Sequence, residues 1–452
     1  MISMRKKVLL ILGALLFSFS GNSNAQEIID LNEAVRTGIQ NNTSVQTVEN
    51  SLEIQGYSTE SVEGDLFPSL TFTGGWTRNH TFSGGGVIFQ NGVPIMIGDQ
   101  NSRSDNFNLR LNSQYTIFNG FSNYRTVDLN ESRYTKLTLD LEYSKREVAL
   151  NVNRTFFDAL KKEQVVVINQ ENLEDSQAQL ERIRAFMQAG KSTLADVYRQ
   201  EVQVAQNELA LETSINDYRK SKVDLLLAMN DDINKEIGLS ASGINTNITL
   251  AELKTTLDQY SNTAPLFQRA INNRYDYKAV IQDLNSRRIE LDIAERNMYF
   301  PTLSAFGDYN LSGSAIDDIT NTRVASYGLT LSYPIFIGFD LQTNKQIAEV
   351  NIRQRQDELS FLEQQINAEV KKSVLDLETT YKQAAILETS IVSAEQDKLL
   401  AEENYRVGLG TILEVQTATT SLNNLRIQQS NAIYNFLLAK RQIDYYVGTL
   451  TY

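Results

Sequence analysis

The 452-residue chain carries 42 basic residues against 55 acidic ones, one histidine and no cysteine. An acidic balance argues against nucleic-acid binding, and the absent thiols exclude disulfides, thiolate metal sites, cysteine nucleophiles and a lipid anchor on cysteine. The one histidine, His80, stands in the Gly/Ser/Asn-rich stretch WTRNHTFSGGG, no nucleotide-loop or nucleophile-elbow motif occurs, and the carboxylates are spread along helix faces, so no catalytic centre, cofactor or metal site is expected.

Arg5, Lys6 and Lys7 precede the apolar run VLLILGALLF and a polar stretch ending at Ala25, which predicts a secretory signal peptide over residues 1–25. Its removal leaves 42 − 3 = 39 basic residues against 55 acidic, near −16. A helical stretch from about Leu31 to Leu66 runs into Phe67-Pro68-Ser69-Leu70. The period then changes from 3.6 to 2 across a hairpin over about 68–118, with strands Leu70–Arg78 and Phe107–Ile117. In the second strand Phe107, Leu109, Leu111, Tyr115 and Ile117 share one face, while Asn108, Arg110, Asn112, Gln114 and Thr116 share the other. Between the strands, Thr81 to Arg103 has loop composition and is expected to be an external loop. YTIFNGF, at Tyr115–Phe121, hands strand over to helix, with Phe118 at a membrane rim and Gly120 giving the bend.

No glycine or proline occurs from Ser122 to Gln188, which predicts one helix over 122–188, roughly 100 Å long at ~1.5 Å per residue. The break AGKST leads to a helix over 193–229, ended by Asn230, a residue that accepts the left-handed cap conformation. Residues 231–264 read as an equatorial linker. A second series then follows over 265–452: a helix from Leu266 to Tyr299, the junction Phe300-Pro301-Thr302-Leu303, and a hairpin over about 301–336 with strands Leu303–Leu311 and Tyr327–Ile335. YPIFIGF, with Phe336 and Gly338 in the junction places, opens a helix over 340–406 that again lacks glycine and proline. Its apolar stripe, Leu359, Leu362, Ile366, Val370, Val374, Leu377, Tyr381 and Ala384, steps by 3 and 4. VGLGT and a helix over 411–447 close the series at Gly448.

The two series are one unit written twice. Tyr115 meets Tyr333, Gly190 meets Gly408, Thr193 meets Thr411 and Val197 meets Val415, each at 333 − 115 = 218 residues, whereas Pro68 and Pro301 lie 301 − 68 = 233 apart. The 15-residue difference places an insertion in the first hairpin. A descending pair of helices of about 55 Å each, stacked end to end, matches one helix of roughly 100 Å. Strands of nine to eleven residues suit a tilted bilayer crossing, with aromatics at their ends as an interfacial girdle. Four strands leave two open edges, which lipid does not tolerate; three chains would supply twelve strands and close a barrel. A soluble sheet on a periplasmic coiled-coil tether obeys the same alternation and stays open at this stage.

YRVGLGTILEVQTATTSL (Tyr405–Leu422), its counterpart QAGKSTLADVYRQE, the opening LNEAVRTGIQNN and the two Phe-Pro junctions resemble the TolC-type outer-membrane efflux family over nearly all the chain beyond the signal peptide. The resemblance implies an α+β membrane protein: two structural repeats, long helical hairpins in a coiled-coil barrel, and four transmembrane strands per chain closing a 12-stranded β-barrel as a homotrimer. It implies an exit duct in the outer membrane of a Gram-negative cell with a periplasmic extension. The partners implied are outer-membrane lipid, a periplasmic adaptor and an inner-membrane pump, RND-type for small molecules such as drugs or metal ions, or ABC-type for type I protein secretion.

The resemblance also assigns places at the periplasmic tips. Gly190, Lys191, Ser192 and Thr193, with Gly408, Leu409, Gly410 and Thr411, would form an adaptor-docking rim. Asp196 and Tyr405 match one linked pair of the family's gate, and Glu414 one acid of its entrance. The partners of a second link fall on Gly410 and Ala195, and the second entrance acid on Thr417, which departs from the archetype. Thr193 to Asp196 and Thr411 to Glu414 are equally spaced as capping boxes, so the two acids read as helix caps or as entrance charges.

Overall fold

The computed structural model describes residues 27–245 and 248–451; the signal peptide expected over 1–25 lies outside the described residues. β1 (Glu27–Ile29) leads into α1 (Leu31–Asn41) and α2 (Thr43–Gly64) rather than into one helix ending at Leu66. Asn42 makes the break by serving both helices. Its N–H bonds the Gly38 carbonyl at the end of α1, and its side chain accepts from Ser44 N–H at the start of α2.

β2 (Ser69–Ser83) and β5 (Gln100–Phe118) pair in continuous antiparallel register and enclose a small hairpin, β3 (Gly86–Gln90) with β4 (Val93–Ile97). The expected external loop over Thr81–Arg103 is therefore corrected: it is mostly strand. The Gly- and Asn-rich composition is concentrated at a few bends, and Asn91 and Gly92, both left-handed (φ 50° and 81°), form the tight turn that pairs the apolar runs on either side.

α3 (Ser122–Gln188) and α4 (Leu194–Met229) form the first long hairpin. Residues 231–264 are more than a linker. β6 (Ile237–Leu239) pairs in parallel with β1, and α5 (Leu250–Tyr260) starts on a capping box of Thr249 with Glu252. α6 (Thr263–Asn273) and α7 (Tyr275–Tyr299) repeat the broken descent of the first half, the break now at Arg274. Arg274 is only 6% exposed, and its guanidinium reaches Asp276 at 2.7 Å and Glu369 at 2.6 Å, so its charge is neutralised where it is buried.

β7 (Thr302–Gly313) and β8 (Thr322–Ser332) follow, then α8 (Asp340–Arg406) and α9 (Ile412–Tyr446) as the second long hairpin. The strand expected over Tyr327–Ile335 instead stops at Ser332, because Pro334 has no N–H to give the ladder. α7 lies against both α3 and α8, and α2 packs along α3. One core joins α1, the middle of α3 and the end of α4, around Phe156, Leu225, Leu226 and Met229; a second joins α5, α6, α8 and α9 around Leu266, Ile366, Leu377 and Phe436. Among the described residues no helix is long and apolar enough to cross a membrane.

The principal sheet has the order β2-β5-β7-β8, antiparallel throughout. Its register sorts the faces. Partners across the ladders put Phe72, Leu111, Tyr309 and Ala325 on one side, and Thr73, Arg110, Asn310 and Val324 on the other. The first face continues through Leu70, Trp76, Phe107, Leu109, Leu303, Tyr327, Leu329 and Leu331, and Leu70, Phe72, Tyr327, Leu329 and Leu331 are exposed. The second face carries Thr71, Asn108, Asn112, Gln114, Ser326 and Thr330, with an Arg110–Asp308 ion pair standing on it. An irregularity between Thr116 and Phe118 ends the simple alternation, so Ile117, expected on the apolar face, falls at a bulge.

Each strand-to-helix junction contains two consecutive left-handed residues, Gly120-Phe121 (φ 68° and 63°) and Gly338-Phe339 (φ 69° and 66°). Phe118 packs edge-on against Phe121 and Phe300, and Phe336 against Phe339. Pro68 and Pro301 each stand one residue before a strand of the sheet. Exposed Phe67, Tyr299, Phe300, Tyr333, Phe336 and Phe339 make this junction an aromatic collar.

Candidate functional site

The tips of the two long hairpins lie at the end of the molecule away from the sheet, and the chain reverses there by the same device twice. Gly190 (φ 71°) follows α3 and Gly408 (φ 78°) follows α8. Around the first, Gly190 N–H bonds the Met187 carbonyl and Lys191 N–H the Phe186 carbonyl; around the second, Gly408 N–H bonds Tyr405 and Leu409 N–H bonds Asn404. Each pair is the double closure of a helix end that a left-handed glycine permits.

The next helix begins three residues later on a reciprocal cap. Thr193 N–H donates to Asp196 Oδ2 at 2.9 Å while Asp196 N–H donates to Thr193 Oγ1 at 3.2 Å. Thr411 and Glu414 repeat this at 3.1 and 3.3 Å. Both acids are thus helix caps. Asp196 has a further role that Glu414 lacks: its Oδ2 also accepts from the hydroxyls of Thr193 (2.8 Å) and Ser192 (3.1 Å).

Ser192 Oγ lies 3.0 Å from the hydroxyl of Tyr405 on the other hairpin. A carboxylate only accepts, so the serine proton goes to Asp196 and the tyrosine proton to the serine. The relay Tyr405–Ser192–Asp196 therefore ties the end of α8 to the start of α4. Burial alone would raise the Asp196 pKa, but the Thr193 backbone and hydroxyl, the Ser192 hydroxyl and nearby Arg199 outweigh it and hold the carboxyl below its ordinary value.

Beneath the loops a small apolar cluster, Leu180, Ile183, Val197, Ile412 and Val415, packs the two hairpins together. Gln200, 2% exposed, crosses the same seam. Its amide donates to the Ser176 carbonyl, and its oxygen accepts from Gln416 at 3.0 Å. Sequence reading missed Gln200 and Gln416; the available signal was a polar residue at a core-facing step of α4, three after Val197.

The rim itself is exposed: Lys191, Thr193, Gly408 and Thr411 face solvent, and Leu409 is 83% exposed. Gly410 is closely packed, since a Cβ there would stand 3.0 Å from both Glu414 Oε2 and the Asn404 side chain. Ala195 and Thr417 are exposed, and the Thr417 hydroxyl turns back to its own helix at Leu413. Gly410 and Ala195 carry no polar side chain, in keeping with the departure from the archetype noted in the sequence; one turn deeper, Gln200 and Gln416 join the two hairpins.

Residues 35–231 and 266–449 match the family described as outer membrane efflux protein. The chain belongs to that family. It is 21% identical over 449 residues to outer membrane protein TolC of Escherichia coli strain K12, covering 99% of this chain and 87% of that protein. The corresponding Salmonella enteritidis protein is 22% identical over 462 residues, with the same coverage. The fold is likewise that of solved outer-membrane channels. The Campylobacter jejuni CmeC channel superposes with a TM-score of 0.72 at 16% identity, covering 93% of this chain and 85% of that one. The open state of the Neisseria gonorrhoeae MtrE channel gives 0.72 at 14% identity, with coverage of 93% and 91%. As a member of this family the chain is an outer-membrane protein, with the four-stranded sheet as its membrane part and the long helices as its periplasmic extension.

Proposed function

We propose that this protein is the trimeric exit duct of a tripartite efflux system, passing small molecules from an inner-membrane pump and a periplasmic adaptor to the outside. The observation that carries the reading is the sheet: two open edges, β2 and β8, on a four-stranded ribbon that is apolar on one face and polar on the other. In lipid both edges must be paired. Three copies joining β8 of one to β2 of the next give twelve strands, the apolar face outward and the Asn/Thr/Arg face around a water-filled lumen.

Beneath it, helices of roughly 100 Å continue the conduit into the periplasm. The tips form its inner end. The Tyr405–Ser192–Asp196 relay and the Gln200–Gln416 contact hold the two hairpins of one protomer together, and an adaptor that draws them apart opens the entrance. The exposed loops around Lys191 and Leu409 are where it would dock. On this reading the duct is passive and the pump sets the choice of cargo.

The test is purification from outer membranes followed by planar-bilayer recording. A heat-modifiable trimer with low conductance that rises when the tip relay is cut is the expected result. A soluble monomer in the periplasmic extract would overturn the reading, and export of a polypeptide by the reconstituted system would reassign the duct to type I secretion.

A further inference from the structure

The β3–β4 hairpin has an apolar surface that the duct reading leaves uncovered. Its register places Val87, Met96, Phe89 and Pro94 on one face and Ile88, Ile95, Ile97 and Val93 on the other, so both faces are apolar. Phe89 is 74% exposed and Met96 87%. An isolated two-stranded ribbon is marginal in water, and one that is apolar on both sides needs a cover.

We infer that the cover is two further copies of the same hairpin, the three meeting on the threefold axis above the barrel as an apolar cap on the exit. The inference rests on the trimeric reading. Three features of the hairpin select this occupant. No charged residue occurs from Thr81 to Gly98, so three identical surfaces can meet without like-charge repulsion. The hairpin is a separate sheet joined to β2 and β5 through Gly84-Gly85-Gly86 and Gly98, with Gly85 N–H held by Asp99 Oδ1 at 2.6 Å. It can therefore lean away from the barrel wall. Its root also belongs to β2, the edge strand that the barrel must pair with a neighbouring copy, so the hairpins are brought together by the same interface that closes the barrel.

The dimensions agree. Twelve strands about 4.8 Å apart and tilted by about 40° enclose a ring of roughly 12 Å radius. Five-residue strands reach about 17 Å, enough to span from rim to axis. Lipid is the competing cover, and position weighs against it. β2 has 15 residues and β5 has 19, against the ~9–11 that cross the hydrocarbon, so the hairpin root stands roughly 10 Å beyond it.

The natural chain has no cysteine, so one introduced thiol reports the contact. In the full-length protein in native outer membranes, Asn91→Cys at the turn should be joined by a short bismaleimide, giving a two-chain band after heating while the unheated trimer migrates unchanged. Adding Phe89→Asp and Met96→Asp places six carboxylates at the contact and should abolish that band without loss of the trimer. Deleting residues 85–98 should also leave the trimer intact and raise its single-channel conductance, since an apolar constriction resists wetting. An intact trimer with no cross-link, or with cross-links only between trimers, overturns the cap and leaves the duct standing. Unchanged conductance on deletion also overturns it. Absence of any trimer overturns the duct reading and the cap together.

Discussion

Tyr405 and Asp196, on different hairpins and 209 positions apart (405 − 196 = 209), are joined through a single hydroxyl, that of Ser192, with contacts of 3.0 and 3.1 Å. Asp196 meanwhile caps its own helix. The link between hairpins and the helix cap thus share one carboxylate but can be cut separately.

Tyr405→Phe removes the hydroxyl and leaves every helix cap in place. Stability should fall by no more than about 1 kcal/mol, the net worth of one partly exposed hydrogen bond, while closed-state conductance rises. Thr193→Ala should show the opposite balance, costing about 1 kcal/mol of thermal stability through the lost cap with a smaller effect on conductance. Equal conductance changes in the two variants would refute the relay.

Acid should act through Asp196. A carboxyl held below its ordinary 3.8 in the folded protein contributes stability that is present above that value and lost as the pH falls through the lower, folded value. The tip should therefore stay latched from neutrality down to about pH 4 and loosen only below it. Bilayer recordings across this range should show a step that Asp196→Asn lacks; a step retained in Asp196→Asn would place the titrating group elsewhere.

Leu111 and Asn112 are neighbours on opposite faces of β5, Leu111 opposite Phe72 and Tyr309, Asn112 beside Asp308 at 3.4 Å. Leu111→Arg should cost roughly 2–4 kcal/mol near the bilayer midplane. Asn112→Arg should assemble normally and alter ion selectivity, because it adds charge to the polar face. Refolding into vesicles and conductance measurements separate the two, and equal damage from both would refute the assignment of faces.

The two junction glycines share a conformation but not an environment. A Cβ at Gly120 would stand 2.8 Å from the Phe300 Cβ, whereas one at Gly338 would meet nothing within 4 Å. Gly338→Ala should therefore cost only the left-handed strain, about 1–2 kcal/mol. Gly120→Ala should cost more and lower the heat-dissociation temperature of the proposed trimer further; the reverse order would contradict the packing described.

The sequence alone determined the long elements. Two glycine- and proline-free stretches of 67 residues predict helices because little in them can end one, and the observed helices start at Ser122 and Asp340. Gly190, Gly408, Thr193 and Thr411 were legible as stops and starts for an equally local reason, since caps are satisfied by neighbours within five residues. The two faces of β5 were legible up to Thr116, where the bulge breaks the period.

What depends on partners distant in the chain required the tertiary structure. Asn42 and Arg274 break helices that each pack on both sides of the break into one core, and nothing local marks Arg274, whose charge is balanced partly by Glu369, 95 residues on. Thr81–Arg103 reads as a loop by composition, yet it pairs, because the ladder of β2 with β5 runs out to Ser83 and Gln100 and, between the flanking glycines, Asn91-Gly92 closes a second ribbon. The Ser192 hydroxyl and the buried Gln200 amide are ordinary surface polar groups in sequence. Only the packing of one hairpin tip against the other gives them Tyr405 and Gln416 as partners, since hydrogen bonds between hairpins are fixed by where the backbones are held rather than by spacing along either one.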